Sequence, residues 1–163
     1  GLSAALAAAR SGARVILADE GAEPGGWLLA ETARINEIAA EDWTRAMVAA
    51  LAAYPNVRVM PRTSVYGYYD QNQIAAVERV TDHLSEKPAH LPRQRQWTIR
   101  ATEVVLATGA FEQPALVAGN DVPGVMMPRA VARFAPSSCA AAVAVPYTHA
   151  PLTMCPCFSV HLL

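Results

Sequence analysis

The 163-residue chain carries 13 Lys and Arg against 14 Asp and Glu, a formal net charge of -1, with 53% hydrophobic residues. That is one domain's worth of sequence, apolar enough for a core, and its near-neutral charge points to no nucleic acid and no anionic membrane as a partner. No apolar run approaches the roughly 18 residues of a membrane span, and the alanine-rich start has no basic region ahead of it to suggest a signal peptide, so a cytoplasmic location is the default expectation.

From Gly1 the chain reads as an alanine-rich helix to Ser11, a turn at Gly12, and an apolar strand Val15-Ile16-Leu17-Ala18 ending on Asp19. This order is the second half of a dinucleotide-binding βαβ opening. Gly1 falls where the third fingerprint glycine lets the helix pack close to the sheet, and Asp19 where an acid accepts hydrogen bonds from the adenosine ribose. Glu20 follows directly and no arginine succeeds it, so a ribose 2′-phosphate would meet negative charge without a cationic partner, which favours NAD or FAD over NADP. The strand before Gly1 and the first two fingerprint glycines are missing, leaving the cradle incomplete and the central sheet without its middle member. Taken alone, the same residues also fit an ordinary amphipathic helix and buried strand with two solvated acids at its end.

Glu20 to Gly26 reads as a loop in which Pro24-Gly25-Gly26 either brings backbone amides close to a ligand or makes a simple turn. Helical spacing at Ile35, Ile38, Ala39, Trp43, Met47, Ala50, Leu51 and Tyr54, stopped by Pro55-Asn56, predicts a helix with this stripe in the core. Trp43 belongs to the stripe, so packing outweighs stacking on a cofactor. Val57 to Met60 is a short strand. Ser64 to Tyr69, Ile74 to Val80 and Trp97 to Ala101 suggest an antiparallel meander, with Asp70 to Gln73 as a tight connection and Ser85 to Gln96 as an exposed loop. Tyr66, Tyr68 and Tyr69 read first as packing on it, with contact to a partner subunit as the other use. Asp82 and His83 are neighbours whose side chains face opposite sides of a strand, so they read as a solvated pair rather than an acid-base dyad.

Glu103 to Ala107 returns to the parallel sheet and runs into Thr108-Gly109. A meander inserted before such an Ala-Thr-Gly strand is the layout of an α/β, FAD/NAD(P)-binding Rossmann-like domain of the glutathione-reductase type, here with its first strand missing. All three cysteines, Cys139, Cys155 and Cys157, fall in the last stretch. The single residue between Cys155 and Cys157 is unlike the usual Cys-x-x-Cys clip, even with His149 and His161 nearby, so no metal site is expected.

Arg62-Thr63-Ser64-Val65-Tyr66-Gly67-Tyr68-Tyr69-Asp70, Glu78 to Leu84, Pro92 to Trp97, Ala107 to Glu112 and Asn120 to Met126 follow one another as in the alpha subunits of heterotetrameric sarcosine oxidases, and the chain resembles that family from Gly1 to about Phe134. The resemblance implies a partial NAD-binding domain over 1–134, with the meander at about 64–101, and a folate domain further along the full-length subunit. It also implies beta, gamma and delta-type partner subunits. FAD lies in the beta subunit, with FMN between alpha and beta, and the complete enzyme demethylates sarcosine to glycine while oxygen becomes hydrogen peroxide. Carried over by position, Gly1 is the last fingerprint glycine, Asp19 the ribose acceptor with Glu20 as its neighbouring alternative, Gly25 and Gly26 a cofactor-side loop, and Thr108 and Gly109 residues lining the dinucleotide. FAD is the alternative occupant. None of these residues is a proton-transfer group, and no catalytic residue is assigned.

The family pattern is left at Gln113, where arginine is usual, and again after Phe134, where residues 135–163 turn into Ala, Ser, Pro, Cys and His with the composition of an out-of-frame translation. Three functions follow as expectations: a fragment of a sarcosine oxidase alpha subunit, a subunit of a related opine or amine dehydrogenase or hydrogen cyanide synthase, or a remnant without activity.

Overall fold

The computed structural model describes residues 1–30, 33–113, 116, 118–123, 125–127, 130–131 and the backbone of 160–162. The chain falls into two units, Gly1–Gly109 with Phe158–Leu163, and Ala110–Cys157. In the first, helix α1 (Leu2–Arg10) buries Leu2, Ala5, Leu6 and Ala9, one stripe at the three- and four-residue spacing of a helix rich in its best former, alanine. It stops where Gly12 takes φ +86 and the Gly12 and Ala13 amides donate to the carbonyls of Ala9 and Ala8. A left-handed glycine after the last turn satisfies carbonyls that the helix itself leaves open.

Strand β1 (Val15–Ala18) follows after four residues. It pairs in parallel with β4 (Val57–Met60), Val15 opposite Val57 and Ala18 opposite Met60. Val15 and Leu17 enter one cluster with Leu2, Ala5, Leu6, Ala9 and Leu51, whereas Ala18 and Ile16 pack in another with Val65, Ile74, Ala76 and Trp97. The period-2 alternation of a strand thus sends one pair of side chains to the helices and the other to a second sheet.

The stripe from Ile35 to Tyr54 predicts one helix, but α2 spans only Ala40–Ala52. Arg34–Ile35 (β2) and Ile38–Ala39 (β3) form a small antiparallel hairpin instead. Its two turn residues, Asn36 and Glu37, have φ +49 and +65, the left-handed pair that a two-residue hairpin demands. The isoleucines at 35 and 38 mimic helical spacing while lying opposite each other across that turn. Within α2, Glu41 and Asp42 occupy the first turn, where acids complement the helix dipole, and Trp43, Met47 and Ala50, with Tyr54 just beyond its end, pack half-buried against the α1 cluster.

The antiparallel meander consists of β5 (Thr63–Tyr69), β6 (Gln73–Arg79) and β7 (Gln94–Arg100). A register shift between Val65 and Gly67 marks a bulge at Tyr66. β8 (Val104–Leu106) lies in the first sheet, whose order is β4-β1-β9-β8. β9 (Val160–Leu162) pairs antiparallel with both β1 and β8, so β8 runs parallel to β1. The middle place between β1 and β8 is therefore held by a segment from the far end of the sequence. In the second unit, among the described residues, the amide of Val122 donates to Gly119 and that of Val125 to Val122 in turns, and Val131 donates to Met127 in a helical step. Cys139, His149, Cys155 and Cys157 lie outside the described residues, as does most of 135–163.

Leu17 is fully buried at the centre of β1, against α1 and α2. Leu17→Ala is expected to cost about 2–5 kcal/mol through lost burial and the cavity left behind, read as a lower midpoint in urea unfolding with an unchanged slope.

Candidate functional site

α1 reverses into β1 through a four-residue turn, so the N-terminus of the helix at Gly1 shares the edge at which β1 delivers Asp19. β4 and β8 run parallel to β1 and release residues 61–63 and 107–109 on that same edge. The topology therefore gathers Gly1, Asp19, Glu20, Thr108 and Gly109 at the carboxyl ends of parallel strands, the place where open α/β sheets bind ligands. α2 precedes β4 and begins there too, bringing the loop that carries Gly25 and Gly26 alongside.

Gly1 caps α1 without a side-chain hydrogen bond, and no acid sits in the first turn. The amides of that turn are thus open to an anionic group.

Asp19 is half-buried, and its backbone is fixed at both ends. Its amide donates to Met60 and its carbonyl accepts from Thr63. Oδ1 accepts from the Gly21 amide at 2.8 Å, while Oδ2 has no hydrogen bond among the described residues. One carboxylate oxygen thus shapes the turn and the other is free to accept from a ligand hydroxyl. Glu20 is exposed, and its carbonyl accepts from Arg79 Nη2 at 2.7 Å. No local signal pointed to that arginine, which lies 59 residues away in sequence.

Gly25 has φ +140, and a Cβ built on it would stand 2.4 Å from Thr44 Cγ2 and 3.1 Å from Leu29 Cγ. Its need for glycine is met by close packing of the loop on α2. Gly26, at φ +57 with open space around it, begins the 3-10 turn Gly26–Leu29 and is the more accessible of the two. Thr108 is half-buried, and Gly109 is exposed at φ +74.

Away from this edge, Asp82 binds Arg93 through Nε and Nη2, at 2.8 and 2.6 Å, and Gln94 Nε2 at 2.6 Å. These partners hold its carboxyl below the ordinary value, Arg93 first and Gln94 next, while His83 is exposed. Tyr66 accepts from Gln96 Nε2 and Tyr68 donates to Asn72 Oδ1, and with Tyr69 they stand about half exposed on the meander. Among the described residues no group of three His, Cys, Asp or Glu is placed to hold a metal, and no helix is long and apolar enough to cross a membrane.

Two outcomes follow from this geometry. Gly25→Ala is expected to destabilise by about 2–5 kcal/mol through strain and overpacking against Thr44, whereas Gly26→Ala should cost only about 1–2 kcal/mol for its left-handed backbone, both measured by chemical denaturation. Because the Asp82 pKa is lowered on folding, its stabilisation is present above its unfolded value of about 3.9 and disappears as pH falls through the folded value. The melting temperature of Asp82→Asn should accordingly lie below wild type at pH 7, with the gap closing in strong acid.

No family model matches the chain. It is 52% identical over 134 residues to the alpha subunit of sarcosine oxidase from Rhizobium meliloti, an alignment covering 82% of this chain and 14% of that protein. The alpha subunit of sarcosine oxidase from Corynebacterium sp. strain P-1 is 48% identical over 136 residues, with the same two shares. An opine oxidase subunit from Agrobacterium tumefaciens is 31% identical over 131 residues, 77% of this chain and 25% of that protein. The chain thus spans about one seventh of the length of the sarcosine oxidase subunits it matches. At such identity over most of its residues, the chain belongs to the sarcosine oxidase alpha-subunit family as a segment of that longer protein.

Proposed function

We propose that this segment is the dinucleotide-binding part of a sarcosine oxidase alpha-type subunit, where it holds NAD, with FAD as the alternative occupant. The fold would be the Rossmann-like domain of the glutathione-reductase type over 1–134, with 135–163 outside it. The observation that carries the reading is the gathering of a helix N-terminus without a side-chain cap, a carboxylate with one oxygen outside the turn's hydrogen bond, and the Thr108-Gly109 turn at the carboxyl ends of the parallel strands β1, β4 and β8. Helix amides suit a pyrophosphate, Asp19 Oδ2 suits ribose hydroxyls, and Thr108 has a hydroxyl to donate to a phosphate or ribose oxygen. Gly25 supports the loop from behind rather than meeting the ligand, which leaves Gly26 and Glu20 as the loop's contact candidates. These residues bind and orient; none moves a proton.

In the complete cytoplasmic complex, with beta, gamma and delta-type subunits supplying the flavins and the amine site, the reaction would convert sarcosine, oxygen and water to glycine, formaldehyde and hydrogen peroxide. The 31% match to an opine oxidase subunit favours a second substrate class, a larger N-substituted amino acid on a related complex.

Thermal unfolding of the chain with NAD, NADP and FAD tests the binding claim. NAD at 100 times its Kd should stabilise by about 2.7 kcal/mol, with NADP weaker, and absence of any saturable shift with NAD or FAD would sink the nucleotide reading. Peroxide yield from the reconstituted complex on sarcosine against an opine then decides the substrate class.

A further inference from the structure

Arg79 reaches the proposed nucleotide edge from the meander. Its Nη2 donates to the Glu20 carbonyl at 2.7 Å, and its own amide donates to the Arg62 carbonyl at 2.9 Å. Arg62 in turn donates its amide to the Gly21 carbonyl at 2.7 Å, while Thr63 donates to Asp19 and Asp19 to Met60. Together with the Gly21 amide on Asp19 Oδ1, these bonds tie the 19–21 turn to the β4–β5 connection and to the end of β6. Arg62 holds φ +52, a left-handed backbone that a non-glycine residue keeps only when its surroundings over-determine it. Here both its peptide N–H and its carbonyl are bonded within the cluster.

The Arg79 guanidinium makes no ion pair with a carboxylate among the described residues. It grips the Glu20 backbone and leaves the Asp19 and Glu20 side chains unneutralised. A charge-assisted bond to a carbonyl is stronger than a neutral one, and this one lies at the residue between the proposed ribose acceptor and the amide that orients it.

We propose that Arg79 is a positioning residue of the nucleotide edge: by holding the Glu20 carbonyl it fixes the Asp19–Gly21 turn so that Asp19 presents Oδ2 to the adenosine ribose. The proposal rests on the NAD reading above, and it explains why a guanidinium beside two acids does not create a preference for a 2′-phosphate.

The test uses Arg79→Met and Arg79→Lys with two readouts. In the absence of ligand, amide hydrogen exchange should quicken at Gly21 and Arg62 in Arg79→Met, with α2 amides unchanged and Arg79→Lys between the two. Unchanged exchange at Gly21 overturns the proposal whether or not NAD binds. In binding experiments wild type should prefer NAD to its 2′-deoxyadenosine analogue by about tenfold, the value of one hydrogen bond to a charged acceptor. Arg79→Met should lose most of that preference by weakening NAD alone, and Arg79→Lys should restore part of it. A merely structural role would weaken both ligands equally and keep their ratio, which overturns the positioning role while leaving NAD binding intact. Wild type that binds neither ligand removes the NAD reading and the ribose role with it.

Discussion

The parallel pairing of β1 with β4 is the contact on which the rest of the first unit depends. Four residues of β1 serve both faces of the sheet: Val15 and Leu17 anchor α1 and α2, and Ile16 and Ala18 anchor the meander. A shift of one residue in that register would exchange the two sets and place β1 side chains against the wrong layer. The same pairing aligns the ends of β1 and β4, which is why the turn after Asp19 meets the connection at Arg62 and Thr63. Core packing and site geometry are two consequences of one strand register.

Chemistry at the edge follows from direction rather than from any one side chain. Strands β1, β4 and β8 all point the same way, so their loops emerge together, and α1 returns its positive end to the same place. Asp19, Glu20 and the start of α1 thus come to the same end of the sheet, and the proposed nucleotide site rests on that placement: carboxylates as acceptors for hydroxyls, helix amides as donors for phosphates. Arg79 belongs to this arrangement without neutralising it, because its partner is a peptide carbonyl.

Elements whose signal is local were legible in the sequence. α1 and β1 were readable because Leu2, Leu6 and Val15 to Ala18 have one periodicity each, bounded by Gly12, and the meander because its segments alternate around turn residues. The hairpin at Ile35 and Ile38 was not, since a spacing of three serves a helix face and a two-residue turn equally well; the left-handed Asn36 and Glu37 decide it. The place of Asp19 at the end of β1 was legible from the strand pattern, but the engagement of its Oδ1 by the Gly21 amide was not. Gly25 looked like Gly26 in the sequence, and only Thr44, nineteen residues on, separates a packing glycine from an accessible one. The grip of Arg79 on Glu20 is a tertiary contact with no trace in either neighbourhood.

The middle of the first sheet shows what hydrogen bonding does and does not select. β1 and β8 are separated by one strand, about 9.5 Å at the usual spacing, and an open slot there would leave two rows of peptide groups unpaired at the cost of lost hydrogen bonds. Val160–Leu162 meets that demand in the antiparallel sense. Backbone pairing alone accepts either direction, so it is not what makes such sheets parallel. Direction matters at the edge: a parallel strand in that slot ends on the side where α1 begins and β8 releases Thr108, whereas an antiparallel one begins there. The completeness of the sheet and that of the proposed nucleotide edge are therefore separate conditions, and the pairing of Val160–Leu162 bears on the first.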